Sequence, residues 1–257
     1  MLFQRLIEFL LSLAEECLLR FRQDHPSTAV SRTAFGSASQ IRMRSPIEVA
    51  CSLRMTLERC SFTVTSLIPS SKARRTVAKA IEAWGRLDAV INNAGAGAIL
   101  PLEDATADRI ADIFAVNVVG PSLLAAAALP HLRATRGAIV NVSSTYGHKP
   151  AAGLSHYAAS KAALEHLTRC WALELAPLGV RVNAVAAGPT ESGALTGMMG
   201  LSDEQAAAVK EQERARIPLG RRGLPDEVAG WIVRLAGPAT QWMTGQIMTV
   251  DGGLELA

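Results

Sequence analysis

Tyr157 and Lys161 stand four residues apart in the run SSTYGHKPAAGLSHYAASK, and Ser144 lies thirteen residues before the tyrosine. On a helix, residues four apart share one face, so a phenol and an ammonium would sit side by side. A free tyrosine ionises near pH 10, and bringing it to neutrality costs about 4 kcal/mol. A neighbouring ammonium is the kind of group that supplies this, because it favours the charged phenolate. A serine hydroxyl nearby would complete a set able to pass a proton and hold an oxygen. By contrast, Tyr146, His148 and His156 read as rim positions.

Those side chains need a scaffold, and the chain beyond Thr76 alternates between helical and extended patterns. Helices are expected over 76–84, 105–132, 156–176 and 225–236, and strands over 89–91, 137–142, 180–185 and 246–250. The strands are short apolar runs without alternation, as in sheets buried on both faces. Strands separated by helices predict an α/β fold, a doubly wound parallel sheet with helices on both faces. Ligands of such sheets bind beyond the carboxyl ends of the strands. Here those ends read Asn92-Asn93-Ala94-Gly95, Ser143-Ser144 and Ala187-Gly188-Pro189-Thr190, all small, polar or glycine-rich. A flat cofactor can approach such a surface closely.

The chain has 257 residues, enough for one large domain, and 49% are hydrophobic. A net charge of +3, with no run of like charges, does not point to nucleic acid and leaves small molecules as the expected partners. The four cysteines show no paired spacing, and nothing resembles a secretory signal, so a cytoplasmic setting is expected. No metal site is expected. The leucine-rich opening is interrupted by Arg5, Glu8, Glu15 and Glu16 and reads as an amphipathic helix, not a membrane crossing.

Six motifs in order make the chain similar to the classical short-chain dehydrogenase/reductases: NNAG at 92–95, Asn117 in VNVVG, Ser144 in NVSS, YAASK at 157–161, AGPTES at 187–192 and TGQIMTVDGG at 244–253. The resemblance covers about residues 74–257. It implies a Rossmann-like fold and hydride transfer between a nicotinamide cofactor, NAD or NADP, and a carbonyl/alcohol substrate. It makes Tyr157 the general acid/base, Ser144 the partner of the substrate oxygen, and Lys161 a tuner of the tyrosine that also holds the nicotinamide ribose. Asn117 would position a water leading from Lys161 to solvent. Asn92, Ala94 and Gly95 would border the adenosine side, and Gly188, Pro189, Thr190 and Ser192 the nicotinamide side. Ala187 departs from the proline usual there. The interval 191–222 would carry a substrate lid, in which Met198 and Met199 suit either an apolar ligand or packing. A homodimer or homotetramer is implied, with the alanine-rich stretches 125–128 and 158–163 permitting close approach.

The first 73 residues depart from the family. A glycine-rich phosphate loop should lie near residues 15–25, where the chain reads EECLLRFRQDH, and without glycine the backbone cannot approach a pyrophosphate. Of 20 glycines only Gly36 precedes Gly85, and residues 1–76 carry 11 Lys+Arg against 6 Asp+Glu. The first βαβ portion is therefore atypical or missing, and 1–73 and 74–257 are expected as separate regions. A shifted reading frame would account for it: the codons for VTSLI at 64–68, read two bases on, permit the Asp-Val-Thr-Asp that the family carries there. The alternatives to an oxidoreductase are a non-catalytic, family-like binding protein and a frameshifted, inactive gene product.

Overall fold

A computed structural model describes residues 70–257. The expectations for the opening helix, the phosphate loop and the reading frame before residue 70 lie outside the described residues. Helix α1 spans Ser70–Trp84 and leads into strand β1, Ala89–Asn92. A long helix, α2, spans Ala107–Thr135, followed by β2 at Ala138–Ser144. Helix α3 is Ser155–Leu175, β3 is Arg181–Ala187, α4 is Asp203–Arg216, α5 is Pro225–Ala236 and β4 is Ile247–Val250.

The strands form one parallel sheet in the order β1-β2-β3-β4. Ala89 pairs with Ala138, Ala138 with Arg181, and Ala184 with Ile247, so the carboxyl ends line up along one edge. Alternate residues face opposite sides of a strand. Ile139 and Val182 pack with Leu132 of α2 and Leu175 of α3, while Val140 and Val185 pack with Val228 and Leu235 of α5. Helices thus cover both faces, as the unalternating strands predict.

α2 is long and apolar enough, by length and composition, to cross a membrane. In this fold it instead packs on α1, α3 and the sheet. Its winding loosens to a π turn at Ala115–Val119, around the fully buried Asn117. The helix ends at Arg136, whose φ of 51° is left-handed, and Gly137 follows. A Cβ at Gly137 would stand 2.4 Å from the Asp88 carbonyl oxygen, so only glycine lets β2 begin beside β1 here.

Helix α4 is the element that apolar periodicity misses, because it is largely polar and buries only Ala206. Its signal was local: Ser202 and Gln205 form a reciprocal capping box, Asp203 and Glu204 open it, and Arg214 and Arg216 close it.

At the start of α5, Glu227 accepts hydrogen bonds from Arg221 at 2.7 and 2.8 Å and from the Leu224 amide at 2.7 Å. The arginine, followed by that amide, holds the carboxyl down at about 2. A depressed carboxyl stabilises the fold above its unfolded ionisation, near pH 4.3, and that contribution fades as pH falls towards the folded value. Urea unfolding of Glu227→Gln should therefore show a deficit against the parent that is constant above about pH 5 and shrinks between roughly pH 4 and 2.

Candidate active site

α3 carries the tyrosine and the lysine near its amino end, and both are buried there. Lys161 Nζ donates to the Val142 carbonyl oxygen of β2 at 2.9 Å and lies 5.8 Å from the centre of the Tyr157 ring. The pair expected from four-residue spacing is therefore real, with the ammonium set over the ring by a backbone contact from the neighbouring strand.

Asn117 joins them from α2. Its Nδ2 donates to Ser160 Oγ at 2.9 Å and to the Ala96 carbonyl oxygen at 2.8 Å, while its Oδ1 accepts from the Ala96 amide at 2.8 Å. Ser160 Oγ in turn donates to the Tyr157 carbonyl oxygen at 2.7 Å. An ordinary helix turns its side chains on a fixed pitch; the π turn offsets Asn117 so that it reaches both the loop after β1 and α3. A Cβ at Gly95 would stand 3.5 Å from Lys161 Nζ and 3.7 Å from Asn117 Oδ1. Gly95, Asn117 and Lys161 thus close on one point.

Ser144 ends β2, where its hydroxyl accepts from the Tyr146 amide at 3.3 Å and fixes the turn that follows. Asn92 is turned away from the crevice: its amide donates to Asn141 Oδ1 at 2.7 Å, and Asn141 donates to Thr168 of α3 at 2.8 Å. It braces the sheet beneath the loop, while Ala94 beyond it is exposed.

The stretch after β3 forms the other wall. Gly188 lies so close to Asp251 that a Cβ would stand 2.4 Å from that residue's own Cβ. Pro189 O accepts from the Gly223 amide at 2.9 Å, and Thr190 Oγ1 donates to the Gly188 carbonyl oxygen at 2.9 Å. Ser192 Oγ accepts from the Ala194 amide at 3.4 Å. Pro189, Thr190 and Ser192 remain half-buried, as a crevice edge should.

Sequence reasoning missed the charges that fasten this wall. Arg222, buried, donates to the Thr190 carbonyl oxygen at 2.6 Å and pairs with Glu213 of α4 and with Glu191 at 3.4 Å. Lys210 of α4 pairs with Glu191 at 2.7 Å. The Lys210 hydrogen bond holds the Glu191 carboxyl below its ordinary range, and burial lowers the Arg222 guanidinium from its own. Glu213 gave no signal because a helix rich in alternating charges reads as a solvated face, and Arg222 because it lies in the connection between α4 and α5.

The segment between these walls is a π turn, Ala194–Met198. Met198 Sδ lies within 3.9 Å of the position a Gly95 Cβ would take, and Met199 Cε and a Tyr157 ring carbon both lie within 3.0 Å of that of Gly97. The two methionines, open to either role in the sequence, are thus part of the site.

A nicotinamide nucleotide fits the described residues. The bare backbone at Gly95, the Lys161 ammonium beside it, and the hydroxyls of Tyr157, Thr190 and Ser192 form a donor-rich, close-approach surface for a ribose and a carboxamide.

Residues 69–255 match the family model described as enoyl-(acyl carrier protein) reductase. An uncharacterized oxidoreductase of Mycobacterium tuberculosis is 36% identical over 208 residues, covering 80% of this chain and 77% of the relative. A 3-oxoacyl-[acyl-carrier-protein] reductase of Thermotoga maritima is 35% identical, covering 75% and 76%. A 4-formylbenzenesulfonate dehydrogenase of Comamonas testosteroni is 40% identical, covering 71% and 73%. A short-chain dehydrogenase/reductase from Caenorhabditis elegans, solved with its cofactor, superposes with a TM-score of 0.67 at 30% identity, covering 76% of this chain and 74% of that one. With the parallel sheet, the six ordered motifs and these relatives together, the chain belongs to the short-chain dehydrogenase/reductase family of NAD- or NADP-dependent oxidoreductases.

Proposed function

We propose that Tyr157 is the general acid/base of a hydride transfer between a nicotinamide cofactor and a carbonyl/alcohol pair. The meeting of Lys161 and Asn117 at Gly95, with the Tyr157 ring at Gly97 and 5.8 Å from the Lys161 ammonium, carries this reading. In reduction the bound dinucleotide supplies the hydride to the carbonyl carbon. Tyr157 gives its phenolic proton to the carbonyl oxygen, so a ketone or aldehyde becomes an alcohol. Ser144 donates to the same oxygen as charge gathers on it. Lys161, at 5.8 Å from the ring, stabilises the phenolate left behind and would hold the ribose. Asn117, bonded to Ser160 and Ala96, keeps the helix and the Gly95 loop in register and opens a path for the replacing proton. Oxidation runs the same steps in reverse. Gly188, Pro189, Thr190 and Ser192 would contact the nicotinamide side, with Ala94 and Gly95 bordering the other and Asn92 supporting them from below.

The preferred setting is the cytoplasm, where unpaired cysteines such as the exposed Cys170 stay reduced. The preferred assembly is a homodimer or homotetramer through the alanine-rich stretch 158–163 of α3, since Ala125 and Ala128 of α2 are buried in the core. Leu173, 82% exposed on α3, supports a covered surface there.

A second reading rests on the sequence before residue 74, which lacks the glycine-rich loop. It takes the chain as a family member with a damaged cofactor half, whether a binding protein or a frameshifted product. The two separate on cofactor affinity. A pyrophosphate without close backbone amides loses much of its binding. The chain should bind NAD(H) or NADP(H) at least about 100-fold more weakly than an ordinary member, a loss of roughly 2.7 kcal/mol. Micromolar NADPH affinity in a fluorescence titration would show that the first residues build a phosphate site of another kind, and the nucleotide sequence upstream of residue 70 tests the frame directly.

Replacing the residues before about 74 with an in-frame glycine-loop segment should restore turnover of a carbonyl substrate. Tyr157→Phe in that chain should then lower kcat by at least about 100-fold, the usual scale of a lost general acid. Retention of turnover by the phenylalanine variant would remove Tyr157 from the role. For the assembly, light scattering at micromolar concentration should report a dimer or tetramer, and a monomer alone would count against it.

A further inference from the structure

Glu165 is a buried carboxylate that the hydride transfer does not use. It stands one turn beyond Lys161 on α3, only 3% exposed. A buried carboxylate is unfavourable unless well paired, and an apolar side chain would fill the same space without that cost. The partners named by the geometry all belong to one place, the segment around Ser144. Ser143 Oγ donates to Glu165 Oε1 at 2.7 Å, and His148 Nδ1 lies 3.3 Å from the same oxygen. Between them the backbone of the turn runs directly against the carboxylate, since a Cβ at Gly147 would stand 2.5 Å from Oε1.

The far side of the same turn holds the C-terminal segment. His148 Nε2 lies 3.1 Å from Glu255 Oε2, Thr145 Oγ1 donates to Asp251 Oδ2 at 3.2 Å, and Lys149 Nζ donates to the Ala257 oxygen. Asp251 also accepts from the Gly253 and Glu255 amides at 2.8 and 2.7 Å, which sets the path of that segment. Three side chains that follow Ser144 are thus matched to three residues of the segment, and His148 joins this outer contact to Glu165 inside.

We propose that Glu165 and His148 are positioning residues for Ser144, fastening the turn that follows it between α3 and the C-terminal segment. This rests on the reading of Ser144 as the hydrogen-bond donor to the substrate oxygen. The Ser144 hydroxyl takes its direction from the Tyr146 amide, and the turn is closed by the His148 and Lys149 amides on the Thr145 carbonyl oxygen at 3.2 and 2.9 Å. Release of either carboxylate would let the turn, and with it the hydroxyl, move.

Amide hydrogen exchange on the full chain tests this without any need for turnover. In Glu165→Gln, which keeps the size and an oxygen acceptor for Ser143 but removes the charge facing His148, the amides of Tyr146, His148 and Lys149 should exchange about tenfold faster. Glu255→Gln, at a far more exposed position, should speed the same three amides by a smaller factor, and it keeps the test available if the buried variant does not fold. Val140 and Val182 in the sheet should be unchanged in both. In the chain carrying the in-frame glycine-loop segment, with cofactor saturating, Glu165→Gln should lower kcat about tenfold while the cofactor KM stays within about twofold, the mark of a misplaced group in the chemical step. Unchanged exchange at the three amides in the folded variants overturns the proposal. Equal loss of protection across the whole sheet also overturns it, and makes Glu165 a core stabiliser. If the chain carrying the in-frame glycine-loop segment shows no turnover, the assigned activity fails, while the exchange result still decides the role of Glu165.

Discussion

The site depends on how α3 is held to β2. Leu175 packs the far end of α3 on the sheet, but between Lys161 and Thr168 a row of hydrogen bonds ties it to β2. Asn141 donates to Thr168, Ser143 to Glu165, and Lys161 donates back to the Val142 carbonyl oxygen. Apolar packing tolerates sliding by fractions of an ångström, whereas hydrogen bonds lose their strength quickly with distance and angle. A row of them fixes both the height and the rotation of the helix. Lys161, and with it Tyr157 one turn earlier, is therefore placed against the end of β2 by the strand itself. The same row continues into β1 through Asn92, so the loop that carries Gly95 shares the reference.

A second consequence concerns the two walls of the crevice. The wall at Gly95 belongs to this hydrogen-bonded frame. The wall at Gly188–Ser192 is tied by Arg222, Lys210, Glu191 and Glu213 to α4, a helix with a single buried residue. One side of the site is thus anchored in the core and the other in a charged, outlying element. The partly exposed Lys210–Glu191 pair is weakened by salt and water more than a buried hydrogen-bond row is.

The sequence showed most of the frame because its elements have strong, local signals. The unalternating apolar strands, the Tyr157–Lys161 spacing and the small residues at strand ends all follow from burial and close approach, and the structure places them as expected. α5 is found with the same bounds, 225–236. Helix starts were less legible: α1 begins at Ser70, six residues before the expected 76, because its first turn is polar and carries no apolar stripe. α4 was read only as part of a lid interval, since its evidence lay in caps and charges. Asn92 showed another limit. Its position in NNAG points to the crevice, but the choice of facing inward is made by Asn141, 49 residues away. Partners that distant leave no local trace.

The π turn at Asn117 has a bearing on which changes of length α2 can absorb. A π turn holds one residue more than the α-helical turn it replaces, and each residue rotates an α-helix by about 100°. The turn acts as a phase shifter between two halves of one rod. Upstream of it Ile113 is buried near the site, and downstream Ala125, Ala128 and Leu132 face the core. Without the π turn, the same residues wound as a regular α-helix would leave the two halves about a quarter turn out of phase. Either Asn117 would leave Ala96 and Ser160, or the core face would turn from the sheet. The turn thus takes up the one residue that would otherwise set Asn117 and the core face at odds.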